Sequence, residues 1–289
     1  MSCDWLFVDG SSLIFRAFYG VPKTVRAPDG KLINAARGFL ETLTRLLGTR
    51  QPHHIAVASD ADWRPAWRVA LIPGYKAQRV AEPIPPALIP QMPIIDAFLA
   101  AIGIDELGVA GYEAEDVIAT WTAKASGTVE IVSGDRDLFA LVEDRRVTVL
   151  YPEKGGLAVV DEAEVTRRYG IPGRRYADFA MLRGDPSDGL PGLKGVGAVA
   201  AASMIRQHGG VPAILEARRL SEHDQEYLTR ALQVVPPVPD LPVELPPGRR
   251  DRYPADPKAL NTLMAEYGLQ AASSRLVEAL NEQPARYLR

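Results

Sequence analysis

Short apolar runs alternate with stretches of helical spacing along the first 160 positions, and the alternation predicts an α/β chain. Trp5-Leu6-Phe7-Val8, Ile55-Ala56-Val57-Ala58 and Val129-Glu130-Ile131-Val132 have the length and composition of buried strands. Leu13 to Tyr19, Asn34 to Leu47, Ile94 to Ile102 and the run after Gly111 repeat apolar residues as helices do. Ser11 or Ser12 is the expected cap of the first helix. A hairpin follows, with Val147 to Tyr151 and Leu157 to Val160 flanking a turn at Lys154-Gly155-Gly156. Strands that each feed a helix predict a mostly parallel central sheet flanked by helices. Between the second strand and Ile94, the prolines of Glu82 to Pro90 predict a stiff, mobile connection outside the core. Later, Ala198 to Ile205 and Pro257 to Tyr267 are helical, and proline-rich Val234 to Pro247 is extended, wrapping the body or linking to the last helix.

Composition narrows the class without choosing a function. A chain of 289 residues with 47% hydrophobic and 24% charged residues is long enough for a real core. No apolar run reaches the roughly 20 residues of a membrane span. Met1-Ser2-Cys3-Asp4 leads straight into a strand without a leader signature, so the reading is cytoplasmic. Cys3 is the single cysteine, which excludes an internal disulfide and a multi-cysteine metal site. The four histidines have no zinc-ligand spacing, and the pair His53-His54 reads as surface.

Acidic residues recur where strands end. Asp9 closes the first strand, Asp60 follows the second, and Asp135 and Asp137 follow the third. Gly111-Tyr112-Glu113-Ala114-Glu115-Asp116 adds three carboxylates at a helix start, and Asp185 and Asp188 lie three apart. Acidic residues suit a first helical turn, so capping accounts for some of them. Nine exceed what capping needs, and in a parallel sheet the strand ends share one rim. Crowded carboxylates repel unless cations are present, and oxygen-only ligands suit hard ions, Mg²⁺ or Mn²⁺. Two such ions can activate a water and steady a leaving oxygen in phosphodiester hydrolysis. The net charge of −3 becomes +6 if those nine charges face cations, so the acidic balance does not exclude nucleic acid.

Trp63 to Arg79 mixes Arg64, Arg68, Tyr75, Lys76 and Arg79 with Trp63 and Trp67, a pattern that suits single-stranded nucleic acid. Arg16 lies in the first helix near the strand end. Gly195-Val196-Gly197 before an alanine-rich helix exposes backbone N–H groups, a phosphate seat.

These motifs, in order across roughly residues 5 to 215, resemble the bacterial 5′-nucleases of the flap endonuclease family, similar to the 5′→3′ exonuclease domain that begins DNA polymerase I. They are Phe7-Val8-Asp9-Gly10, Ser59-Asp60, Tyr75-Lys76-Ala77-Gln78-Arg79, Gly111 to Asp116, Ser133-Gly134-Asp135-Arg136-Asp137-Leu138 and Gly184 to Gly192. The resemblance implies a PIN-like 5′-nuclease fold over residues 1–180, with a helical arch at about 63–93. It implies a helix-hairpin-helix subdomain and C-terminal extension over 181–289. Asp9, Asp60, Glu113, Glu115 and Asp116 would serve a first metal group, and Asp135, Asp137, Asp185 and Asp188 a second. Tyr75, Lys76 and Arg79 would stand at the arch foot, Lys76 and Arg79 on the scissile phosphate. Arg16, Arg64 and Arg68 would lie along the DNA. Gly192, Lys194, Gly195 and Gly197 would grip duplex backbone with a K⁺ ion. The implied substrate is DNA with a 5′ flap, 5′ overhang or nick, in replication and repair, cut as exonuclease and flap endonuclease by a nucleoid-working monomer.

Several positions depart from the family pattern. Ser59 replaces an apolar residue, Glu115 an aspartate and Gly189 an asparagine, and Ala198-Val199-Ala200 stands where relatives carry lysine and threonine. A PIN-like ribonuclease would share the acidic sheet edge; the Gly-Asp-X-Ser-Asp segment speaks against it. A haloacid-dehalogenase-like phosphatase needs Asp-X-Asp after the first strand, which Asp9-Gly10-Ser11 lacks. A non-catalytic structure-specific DNA-binding protein would have lost metal carboxylates, and none is replaced by a neutral residue.

Overall fold

The computed structural model describes residues 3–81, 83–217 and 220–282. Met1, Ser2 and Glu82, the first residue of the expected stiff connection, lie outside the described residues. Six strands, β1 (Trp5–Asp9), β2 (His54–Ala58), β3 (Asp105–Leu107), β4 (Val129–Val132), β5 (Val147–Glu153) and β6 (Gly156–Val160), form one sheet in the order β3-β2-β1-β4-β5-β6. All neighbours are parallel except β5 and β6, the expected hairpin.

Because β1, β2 and β4 are covered on both faces, their residues are almost continuously apolar. Phe7, Ala56, Ile131 and Val149 pack on Val117, Ile118 and Trp121 of the helix Ala114–Lys124. Leu6, Val8, Val57 and Val132 turn the other way, toward Ile14, Phe39, Leu43 and Phe98 of the helices Gly10–Gly20, Asn34–Arg50 and Met92–Ile102. The register pairs Asp9 with Ala58 and Val8 with Val132, so the residues after all three strands leave the sheet at one edge.

The structure departs from the expected elements in four places. Asp9 itself caps the first helix by accepting from the Ser12 N–H at 2.9 Å, so neither serine is the cap. The edge strand β3 escaped notice because three residues with two carboxylates carry no apolar period. The proline stretch is not free of the core: Leu88 is buried, and the buried Gln91 amide bonds Ala35 N, Asn34 and Ala87 O. Finally, a helix beyond Pro257–Tyr267, Gln270–Asn281, packs with it against Asn34–Arg50 and Met92–Ile102.

Past the hairpin, the helices Tyr176–Arg183, Ala198–His208, Val211–Ala217 and Glu222–Val234 form a helical layer that shares the core of Ala114–Lys124. Residues 235–248 then run without regular structure along that helix and back to the sheet, where Ile55 N–H donates to Gly248 O. No described helix is long and apolar enough to cross a membrane.

Candidate metal centre

At the carboxyl edge of the sheet lies an open cavity of about 400 Å³ whose lining includes Asp9, Asp60, Glu113, Glu115, Asp135 and Asp188. Oxygens of Glu115, Asp135 and Asp137 lie within 4.8 Å of one another, a spacing one cation can bridge. This group takes members from both ligand sets that the resemblance implies. Three oxygen donors brought together in a largely buried place fit a hard divalent ion.

Serines hold this edge in shape, a role the sequence did not announce: Ser11 and Ser12 read there only as candidate caps. Ser133 Oγ donates to Asp9 and accepts from Asp135 N–H at 2.8 Å. Ser12 Oγ receives Gly134 N–H and Ser11 Oγ receives Asp60 N–H, each at 2.9 Å. Each hydroxyl ties one strand end to the next. Their signal was position: Ser11 and Ser12 lie two and three residues after Asp9, and Ser133 two before Asp135. Phe15, a turn after Ser11 and Ser12, also lines the cavity, stacked on Trp63 at 5.0 Å.

Burial sets the electrostatics. It pushes Asp9 up to about 7, with help from the charge on Asp60. Asp60 and Asp135 are likewise raised, first by burial, and Glu115 and Asp137 well above the usual carboxylate range. A carboxyl raised in the folded state contributes stability below its unfolded value, about 4, that is lost as pH rises through its folded value. The metal-free protein should therefore melt at falling temperatures from pH 5 to pH 8. Divalent ion should recover more at the alkaline end, where it binds more tightly; its whole stabilisation is about 2.7 kcal/mol at 100 times its dissociation constant. Thermal unfolding with chelator and with Mn²⁺ reads both trends, and melting indifferent to pH and metal would refute the cluster.

Three of the nine carboxylates are otherwise engaged. Glu113 accepts from Arg68 and Tyr75 at 2.7 Å, Lys76 at 2.8 Å and Arg79 at 2.9 Å. Burial would raise it, but Lys76 and Arg68 outweigh that and hold it at about 2. Asp116, expected as a ligand, is wholly buried away from the cavity, its four acceptor positions filled by two Arg68 N–H groups and the backbone N–H of Glu113 and Val238. Asp185 bonds Ser187, Arg136 and Arg183 and does not line the cavity.

The basic residues divide in the same way. Arg68, expected along the DNA, has 0% exposure, because it neutralises Glu113, Glu115 and Asp116. Arg64 is spent on Tyr75 O and Pro73 O, bracing the turn that carries Tyr75. Arg16 is exposed but faces a second hollow, between the helices Gly10–Gly20 and Asn34–Arg50 and the hairpin. Tyr75 and Lys76 are buried on Glu113, and Lys76 Nζ also comes within 3.8 Å of Asp188. Arg79 reaches the cavity, its guanidinium 4.4 Å over the Trp63 ring. Lys194, Gly195 and Gly197 are exposed at the tip before Ala198–His208.

Gly189 stands where two stretches of backbone come together. Its φ is +68°, and a Cβ there would lie 1.9 Å from Gly74 O, so two backbones meet where Lys76 N–H donates to Asp188 O. Gly189→Ala must force them apart and adopt a left-handed conformation that alone costs about 1–3 kcal/mol. Thermal unfolding should show a loss of at least that size, and a variant as stable as the parent would contradict the close approach.

The family described as 5′-3′ exonuclease, N-terminal resolvase-like domain, matches residues 4–170. The chain is 47% identical to a 5′-3′ exonuclease of Streptomyces coelicolor, across 95% of this chain and 99% of that one. It is 40% identical to a 5′-3′ exonuclease of Mycobacterium tuberculosis, across 98% and 100%. A DNA polymerase I of Mycobacterium bovis matches at 42% over 73% of this chain and 24% of its own greater length. Among solved structures, the T5 D15 protein crystallized with metal ions is 19% identical, covering 97% of this chain and 100% of that one at a TM-score of 0.66. A flap endonuclease-1 from Methanococcus jannaschii is 17% identical, covering 98% and 94% at 0.61, and these two show a shared fold. Matched by that family over more than half its length, and by stand-alone relatives at 40% identity or above along nearly all of it, the chain belongs to the 5′-3′ exonuclease family.

Proposed function

We propose that this enzyme hydrolyses DNA phosphodiester bonds at 5′ ends, as a 5′→3′ exonuclease and 5′-flap endonuclease in replication and repair. The observation that carries the reading is the gathering of Asp9, Asp60, Glu115, Asp135, Asp137 and Asp188 around one sheet edge, without a cation on most of them. These six would hold two or more Mg²⁺ or Mn²⁺ ions. When bound, such ions lower the pKa of a water and act as Lewis acids on the phosphoryl oxygens. Glu113 stays a charged anchor for Lys76, Tyr75 and Arg79.

Around the acids, the chain's own groups bind and orient. Arg79, stacked on Trp63 at the cavity lip, meets the scissile phosphate, with Lys76 beneath it. The exposed tip at Lys194, Gly195 and Gly197 offers N–H groups to duplex backbone, with a K⁺ ion between loop carbonyls and phosphate. DNA with a 5′ flap, 5′ overhang or nick is the partner, bound by a cytoplasmic monomer.

Cleavage of an end-labelled 5′-flap duplex with Mg²⁺, with Mn²⁺ and with chelator tests substrate, polarity and cofactor together. Preference for RNA, or cutting that survives chelation, overturns the proposal. Lys76→Ala should lower the single-turnover rate by about 10²-fold, the scale of losing one charge stabiliser at a reacting group. Flap-duplex affinity should change far less, and a pure affinity loss would remove Lys76 from the chemistry.

A further inference from the structure

Arg68 and Asp116 connect two parts of the molecule that the acid cavity needs in register. Arg68 Nε donates to Val234 O at 3.1 Å, taking up a free carbonyl at the end of Glu222–Val234. Its two terminal nitrogens donate to Asp116 at 3.1 and 2.7 Å, and one lies 3.3 Å from Glu115 Oε1. From Val234 the chain is stitched along the acidic helix. Val238 N–H donates to Asp116 at 2.9 Å, Leu241 N–H to Thr120 Oγ1 at 3.1 Å, and Trp121 Nε1 to Glu244 O at 3.2 Å. At the far side, Tyr227 of the helix Glu222–Val234 donates to Met181 O and accepts from Gly192 N–H in the loop before Ala198–His208. The helix Glu222–Val234 thus links that loop, held at Tyr227, to the carboxylates, held through Arg68 at Val234.

We infer that Asp116 is a positioning residue and not a metal ligand, and that with Arg68 it clamps the helical layer to the acidic helix so that Glu115 is aimed into the cavity. With all four acceptor positions of Asp116 taken inside the protein, it has none to offer an ion. Glu115, one residue earlier, makes a single longer contact to the same guanidinium and keeps oxygen directed at Asp135 and Asp137. The inference rests on the nuclease reading of the cavity.

The test counts Mn²⁺ ions bound at saturation by the full chain without DNA, from the electron paramagnetic resonance of free ion. Asp116→Asn should bind as many ions as the parent, and Asp135→Asn fewer. An ion lost from Asp116→Asn makes it a ligand and overturns the clamp. If Asp135→Asn binds as many as the parent, the metal reading of the cavity fails instead. Single-turnover cleavage at saturating Mn²⁺ and flap DNA should fall about 10–100-fold in Asp116→Asn, the usual size for a residue that orients a ligand. The same loss should not deepen in the double variant Arg68→Met, Asp116→Leu beyond the worse single one, because both residues act through one contact. Additive losses would refute the coupling. Should Asp116→Asn fail to fold, the double variant, which leaves no unpaired charge between these two residues, supplies the ion count.

Discussion

Asp135→Asn should reduce flap cleavage by about 10³-fold or more while leaving binding to the flap duplex measurable. Asp135 lines the cavity, and its oxygen lies within 4.8 Å of those of Glu115 and Asp137, so the substitution removes a charge from the middle of the group. A cation at a phosphoryl oxygen supplies several kcal/mol of transition-state stabilisation, and each 1.36 kcal/mol is about tenfold in rate. Asparagine keeps the shape, and its carbonyl can still accept the Asp137 N–H bond seen at 2.9 Å, so the fold should survive. The uncharged amide should also relieve repulsion, so the metal-free variant should melt no lower than the parent. Retained turnover in a correctly folded variant would remove Asp135 from the site.

Arg68→Met should cost the protein about 3–5 kcal/mol, the range for breaking a buried ion pair by deleting one partner. The guanidinium has no exposed surface and faces three carboxylates, and methionine fills much of its volume without a charge. Glu113 keeps Lys76, Tyr75 and Arg79, whereas Asp116 retains only backbone donors. At about 2–4 °C per kcal/mol, the melting temperature should drop by roughly 10 °C. Arg16→Met, on an exposed residue, should stay within about 0.5 kcal/mol of the parent. Equal stabilities for the two variants would mean that the buried arginine is not holding the acids together.

Much of the fold was legible because its signals are local. The core strands are short apolar runs with punctuation, and their helices repeat at helical spacing. Asp9, Asp60 and Asp135 sit just past strand ends, so parallel pairing had to bring them to one edge. The three-residue β3, with carboxylates at two of its positions, carried no such signal. Nor did the anchoring of the proline stretch through Leu88 and Gln91.

Chain order, apolar period and the position of acids relative to strand ends determined the architecture and the general place of the site, since each depends on neighbours within a few residues. Which acids face the cavity was decided only by tertiary structure. Glu113, Glu115 and Asp116 look alike in sequence, but Arg68 arrives from 48 positions before Asp116 and Val238 from 122 after it to occupy its oxygens. A carboxylate offers an ion only the lone pairs that no other group has taken, and those partners come from distant parts of the chain.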